Sequence, residues 1–140
     1  MADNSSEFEC LIGYSFRNRD LMEEALQEAS VVTPGNERLA LIGDKVLALM
    51  LLQDWYRTGN STADGTYLLQ DFACNKILAS RARSIGLTRF IHPRQDIKRE
   101  IPEHVLATSI EAILGAVWLD ATQNISEVQS VMDKLQIYPP

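Results

Sequence analysis

The sequence lacks the features that mark membrane and secreted proteins. No stretch approaches the run of about 20 apolar residues that a membrane-spanning helix needs, and residues 1–8 are polar and acidic, unlike a secretory signal. The only cysteines, Cys10 and Cys74, fit neither a disulfide framework nor a zinc site. We therefore expect no membrane contact and an intracellular location, cytoplasmic or nuclear, with an organelle as the remaining alternative.

Strand-like alternation is almost absent as well, whereas helical periodicity recurs along the chain. With 46% hydrophobic residues, 140 residues can form one full-sized core. The pattern predicts an all-α domain over residues 8–138 after a short polar tail at residues 1–7. Ser6 and Glu9 could form a capping box, and Asn18 could cap the next helix. The remaining predicted helices cover residues 37–57, 66–85, 102–119 and 125–135, with a loop at 59–65.

Positive charge is scarce overall but locally concentrated. The net charge of −6 argues against tight nucleic-acid binding by the whole surface, because phosphates are neutralised by Lys and Arg. A solvated helix face and a phosphate-binding strip both explain a local basic cluster. The second interpretation predicts that RNA is contacted by Arg81, Arg83, Arg89, Arg94, Lys98 and Arg99.

Two carboxylates lie on one face of the first long predicted helix. Glu37 and Asp44 are seven residues apart, which is two helical turns. Gly43 costs about 1 kcal/mol relative to alanine inside a helix, so its presence indicates the close approach of another helix. Asp44 is therefore either a solvated surface residue or a functional carboxylate.

Glu111 is the only charged residue between His104 and Asp120. A lone carboxylate in a long apolar helix is costly to bury unless it is paired or binds a cation. It is either part of an exposed stripe or a metal ligand. Asp44 and Glu111, on two facing helices, would form an oxygen site suited to Mg²⁺.

The segments around these acids resemble the ribonuclease III family. Residues 36–47 resemble its motif Asn-Glu-Arg-Leu-Glu-Phe-Leu-Gly-Asp-Ala-Val-Leu, and residues 106–120 resemble its motif Leu-Ala-Asp-x-x-Glu-Ala-x-x-Gly-Ala-x-Tyr-x-Asp. Shorter matches at residues 12–16, 21–26 and 75–79 follow the family order. A single motif would be weak, whereas five in order over nearly the whole chain are strong.

The resemblance implies the ribonuclease III endonuclease-domain helical fold and a symmetric homodimer whose valley accepts double-stranded RNA. Each site of the family uses four carboxylates with Mg²⁺ or Mn²⁺ to hydrolyse a phosphodiester. Asp44 and Glu111 match two of these ligands, and Glu37 matches a family acid with a structural or RNA-contacting role. We take these three as the candidate catalytic residues.

Half of the family's four-carboxylate set is missing from this sequence. Ala40 stands where the family has Glu, and Thr108 stands where it has Asp. The family's Thr-His-x-Ser is altered at residues 27–30, and we expect no double-stranded RNA-binding domain after residue 135. The remaining pair could hold one hydrated Mg²⁺, at lower affinity than the full set.

These departures favour a domain that binds double-stranded or structured RNA, or a protein partner in RNA processing, with cleavage lost or strongly impaired. One alternative is an active Mg²⁺-dependent endoribonuclease that uses Asp44 and Glu111. Another is a structural ribonucleoprotein subunit. The small residues Gly43, Gly115 and Ala116 predict a homodimer, in which Trp118 lies either in the core or at the interface. Pairing with an active paralogue is the other possible assembly.

Overall fold

The computed structural model describes residues 4–92 and 100–138, and within these ranges the chain is all-helical. The described residues form seven α-helices and one short 3₁₀ helix at Leu87–Phe90. The all-α prediction is confirmed. None of the helices in these ranges combines the length and apolar character of a membrane span. The seven helices are α1 (Ser5–Ile12), α2 (Arg19–Ala25), α3 (Glu37–Thr58), α4 (Thr62–Phe72), α5 (Asn75–Ser84), α6 (Glu103–Asp120) and α7 (Ile125–Lys134).

Most helix ends lie where local sequence signals predicted them. The Asn18 side chain accepts a hydrogen bond from the Asp20 amide at 3.0 Å and so caps α2. The predicted capping box is wrong, because Asn4 precedes α1 and makes no side-chain cap bond. Glu9 instead accepts a hydrogen bond from the Phe16 amide at 2.6 Å, across the turn that follows α1.

The predicted loop at residues 59–65 is shorter than expected. The Ser61 side chain caps α4, which therefore begins at Thr62. Gly65 lies inside this helix and is buried against the ring of Trp55. Gly65, the last residue of the predicted loop, is thus required by close packing of α4 on α3.

Helices α3 and α6 cross at the centre of the domain. Most residues of α6 are buried. A Cβ on Gly43 would overlap the carbonyl oxygen of Glu111, and one on Gly115 would overlap that of Leu39. The two backbones therefore touch. The expectation that these glycines form a dimer interface is wrong, because the chain's own helices occupy them. Trp118 packs against the core of the same molecule.

Asp120, at the end of α6, fixes the chain that joins α1 to α2. Its carboxylate accepts hydrogen bonds from the Tyr14 hydroxyl at 2.7 Å and from the Arg17 and Asn18 amides at 2.8 Å each. Burial alone would raise the pKa of Asp120, but these three donors outweigh it and hold the pKa below its usual range. The charged form of Asp120 therefore stabilises the fold.

We expect Asp120→Asn to lower the free energy of unfolding by about 2 kcal/mol at pH 7, since bonds to charged acceptors are the strong ones. Because the native pKa is below the unfolded value of about 4, this stabilisation is complete at neutral pH and is lost as the pH falls from there through the native pKa. Urea unfolding at pH 7 and pH 3 measures the difference between variant and parent. That difference should shrink at pH 3, while exposed Asp71→Asn should change little at either pH; an equal difference at both would contradict this role.

Candidate functional site

A groove of about 280 Å³ between α3 and α6 holds the residues that the two motifs singled out. Asp44 comes from α3 and Glu111 from α6. Both departures from the family pattern also line the groove. Its lining residues are Glu37, Ala40, Leu41, Asp44, Thr108 and Glu111. The helix crossing thus gathers residues that are far apart in sequence, although their role as ligands remains a prediction.

Asp44 and Glu111 are in direct contact through a side-chain hydrogen bond. Burial, this bond and the negative charge of Asp44 raise the pKa of Glu111 to about 8, against a smaller opposing effect of Lys45. Lys45 Nζ lies 3.2 Å from Asp44 Oδ2. At neutral pH a carboxyl group with this pKa is largely protonated, so Glu111 can donate a hydrogen bond to Asp44.

The two positions that depart from the family add no negative charge to this pair. Ala40 is buried one turn before Asp44 and has no polar atom on its side chain. The hydroxyl of Thr108 donates to the His104 carbonyl oxygen at 2.7 Å, one turn earlier in α6. Among residues 4–92 and 100–138, no group of three or more His, Cys, Asp or Glu side chains is arranged to hold a metal ion.

A second pocket of about 200 Å³ adjoins the groove and shares Glu37 and Thr108 with it. Its lining also includes the buried residues Glu28 and Asn36 and the exposed His104. Sequence reasoning missed this pocket. The one available signal was the helical spacing of four residues that places His104 beside Thr108.

The described members of the basic cluster, Arg81, Arg83 and Arg89, do not line the groove that contains Asp44 and Glu111, called the acid groove below. Arg83 is exposed on α5, while Arg81 is half-buried and its Nε has no hydrogen-bond partner. Arg89 forms an ion pair with Glu7 at 2.8 Å and lies 4.4 Å over the Phe90 ring. Part of the charge of Arg89 is therefore compensated within the chain. The other predicted RNA contacts, Arg94, Lys98 and Arg99, lie outside the described residues.

Comparison with known proteins gives matches along most of the chain. A family model described as "Ribonuclease-III-like" matches residues 15–136. "Ribonuclease 3" of Idiomarina loihiensis is 31% identical over 121 residues, which are 83% of this chain and 53% of that protein. "Ribonuclease 3" of Fusobacterium nucleatum is 32% identical over 138 residues, 90% of this chain and 58% of that protein. The chain thus spans about half the length of the curated relatives it matches.

Two solved structures of the nuclease domain of ribonuclease III from Campylobacter jejuni have the same fold. They superpose with TM-scores of 0.83 and 0.81, each at 24% sequence identity. The first covers 98% of this chain and all of that chain, and the second covers 99% of both. The first of these Campylobacter jejuni structures shows structural flexibility in a region involved in dimer formation.

Proposed function

This chain belongs to the ribonuclease-III-like family, and on that basis we propose that it binds double-stranded or structured RNA with cleavage lost or strongly impaired. The main support for the proposal is the set of side chains that line the acid groove. Asp44 and Glu111 are in contact there, while Ala40 and Thr108 occupy the positions where the family supplies two further carboxylates. RNA can still be bound by shape and backbone contacts, which need no metal.

The donor set of the groove fits at most one hydrated divalent cation. Asp44 and Glu111 would hold it, because Mg²⁺ often keeps several waters and uses only one or two carboxylates. Such an ion, when bound, would neutralise charge on the phosphate and activate water. Glu111 would have to lose its proton to serve as a ligand, and burial and the neighbouring Asp44 oppose that loss. A pair of ions does not fit, since each needs several anionic oxygens.

Direct contact between Asp44 and Glu111 also favours a second candidate, a Mg²⁺- or Mn²⁺-dependent endoribonuclease that works with these two acids alone. Incubation of the purified chain with long double-stranded RNA and either cation separates the two functions. Cleavage that is lost in Asp44→Asn supports the enzyme. Binding without cleavage supports the primary proposal, and the absence of both contradicts both.

We expect RNA affinity to depend on the arginines of α5 and the 3₁₀ helix. The triple change Arg81→Ala, Arg83→Ala and Arg89→Ala should weaken binding about tenfold at moderate salt and lower the slope of log affinity against log salt by about one per lost phosphate contact. Fluorescence anisotropy with duplexes of two unrelated sequences should give the same loss for both.

The control for this triple change is Arg57→Ala. Arg57 is an exposed arginine near the end of α3 that pairs with Asp54. Its removal should leave RNA affinity within about twofold. Unchanged affinity in the triple variant, or an equal loss in the control, would place the RNA elsewhere.

We also propose that the chain forms a homodimer. Exposed apolar side chains support this assembly, whereas Gly43 and Gly115 do not. Large apolar side chains stay exposed along α3, namely Leu41 (68%), Leu49 (47%) and Tyr56 (79%). Leu41 also lines the acid groove. A stable dimer would bury about 1,600 Å² or more, and the dimer-forming region described for the Campylobacter jejuni domain supports such pairing.

Light scattering should therefore give about twice the 15.7 kDa mass of one chain at micromolar concentration. Leu41→Lys should shift the protein to monomer, because an interface core excludes an unpaired charge. Ile125→Lys, which changes a partly exposed residue at the start of α7, should leave the dimer intact. A monomer mass for the unmodified chain would exclude the dimer.

A further inference from the structure

A buried polar bridge joins three helices directly beneath the proposed site. Asn36 is 2% exposed and Ser109 is fully buried. The Asn36 Nδ2 group donates to the Ala25 carbonyl oxygen at 3.0 Å and to the Ser109 hydroxyl oxygen at 3.2 Å. The Ser109 hydroxyl in turn donates to the Val105 carbonyl oxygen at 2.9 Å. One amide thus connects the end of α2, the start of α3 and the middle of α6.

The bridge adjoins the groove on both helices. Asn36 precedes Glu37, and Ser109 follows Thr108, and both of these neighbours line the acid groove. Asn36 and Thr108 also line the adjoining pocket. Ser109 occupies a position that the family motif leaves unspecified.

Elsewhere in the α3–α6 crossing, the two backbones are in close contact, but this contact is not directional in the way that a hydrogen bond is. Gly43 and Gly115 lie against backbone carbonyl groups and have no side chains to interlock. A hydrogen bond is directional, and it weakens when its partners separate beyond about 3.5 Å. Burying the two polar groups of Asn36 and Ser109 is also costly unless they are paired. Two apolar side chains at the same place would therefore stabilise the fold equally well. Unlike the directional hydrogen bond, however, they would not fix the register between the helices.

We propose that Asn36 and Ser109 are positioning residues that set the register of α3 on α6 and thereby hold Asp44 opposite Glu111. In the family pattern four carboxylates would surround the cation. With Ala40 and Thr108 in two of those places, the geometry of the remaining pair depends on the helix scaffold. The inference rests on the proposed function only in that Asp44 and Glu111 form the cation site. It assigns Asn36 and Ser109 no contact with RNA or cation.

The test compares Ser109→Ala with a neighbouring control, Ile110→Val. Ser109→Ala removes the acceptor for Asn36 but keeps the Asn36 bond to Ala25, whereas Ile110→Val removes one buried methyl group and no polar bond. Both should lower the Tm by similar amounts, about 3–6 °C. Crystal structures of both variants then show whether the Asp44 and Glu111 carboxyl groups remain within about 3.5 Å of each other.

We expect this carboxyl contact to be lost in Ser109→Ala and kept in Ile110→Val. Calorimetry with Mn²⁺ alone should show about tenfold weaker binding for Ser109→Ala and less than a twofold change for the control. A retained contact in Ser109→Ala overturns the inference, and so does an equal effect of the two variants on Mn²⁺ affinity. The structural comparison requires neither cation nor RNA. Its failure is therefore distinct from a failure of the proposed function, which would appear as no RNA binding by the unmodified chain.

Discussion

Replacing Ala40 by Glu and Thr108 by Asp should raise the rate of double-stranded RNA cleavage in Mg²⁺ by at least about 100-fold. The loss of even an indirect metal partner typically costs about 10–100-fold in affinity or activity, and this double change adds two direct ligands. Both residues line the groove that contains Asp44 and Glu111. The new carboxylates would complete the set of four with which the family binds the cation that neutralises phosphate charge.

The stability of the double variant gives a second measurement. Two added carboxylates next to Asp44 repel it, so the variant should unfold at a lower temperature than its parent in the absence of cation. Adding Mg²⁺ should raise the Tm of the variant more than that of the parent, because a ligand stabilises the state that binds it. Thermal unfolding with and without Mg²⁺ tests this difference.

Helix α4 offers a matched control for the double change. Ala63→Glu with Thr66→Asp makes the same substitutions at exposed positions, and the Thr66 hydroxyl donates to the carbonyl four residues earlier, as Thr108 does. This control should leave cleavage and the Mg²⁺ response unchanged. If the unmodified chain already cleaves duplex RNA at a rate that the double change does not improve, Ala40 and Thr108 are not the limiting residues and the active-enzyme alternative is correct.

Gly43→Ala should destabilise the protein by about 3–5 kcal/mol, the upper range for a single substitution. Elsewhere in a helix this change would stabilise by about 1 kcal/mol through helix propensity. Here the added methyl group would overlap the backbone carbonyl of Glu111, which is part of α6 and cannot rotate away as a side chain could. The two helices must therefore separate, and the contact between Asp44 and Glu111 should be lost with the packing.

Urea unfolding of the purified variant measures this loss, with Gly59→Ala as the control. Nothing lies within 4 Å of a Cβ at Gly59, so alanine there is strained only by the left-handed φ of 74°, and the control should lose about 1–2 kcal/mol. A Gly43→Ala protein as stable as its parent would show that α3 and α6 do not cross backbone to backbone. The expected result explains Gly43 through folding, without a role at a dimer interface.

The sequence alone determined the features that depend on neighbours along the chain. Helical periodicity predicted the all-α class, and Asn18 caps the helix that it was expected to cap, because caps depend on a few adjacent residues. Five motifs in the family order identified the family. Comparison with these motifs showed that Ala40 and Thr108 depart from the family pattern. These signals are local or can be read by alignment, so no tertiary contact was needed.

Only the tertiary structure decided which of several chemically possible partners each residue has. Gly43 could have faced a second molecule, but the register of α3 on α6 places it against Glu111. Arg89, which is predicted to contact RNA, also pairs with Glu7, which is 82 residues away in sequence. The pKa of Glu111 likewise depends on Asp44, from another helix. Such pairings follow from the packing of whole helices, because burial of their apolar faces brings together residues that are distant in sequence.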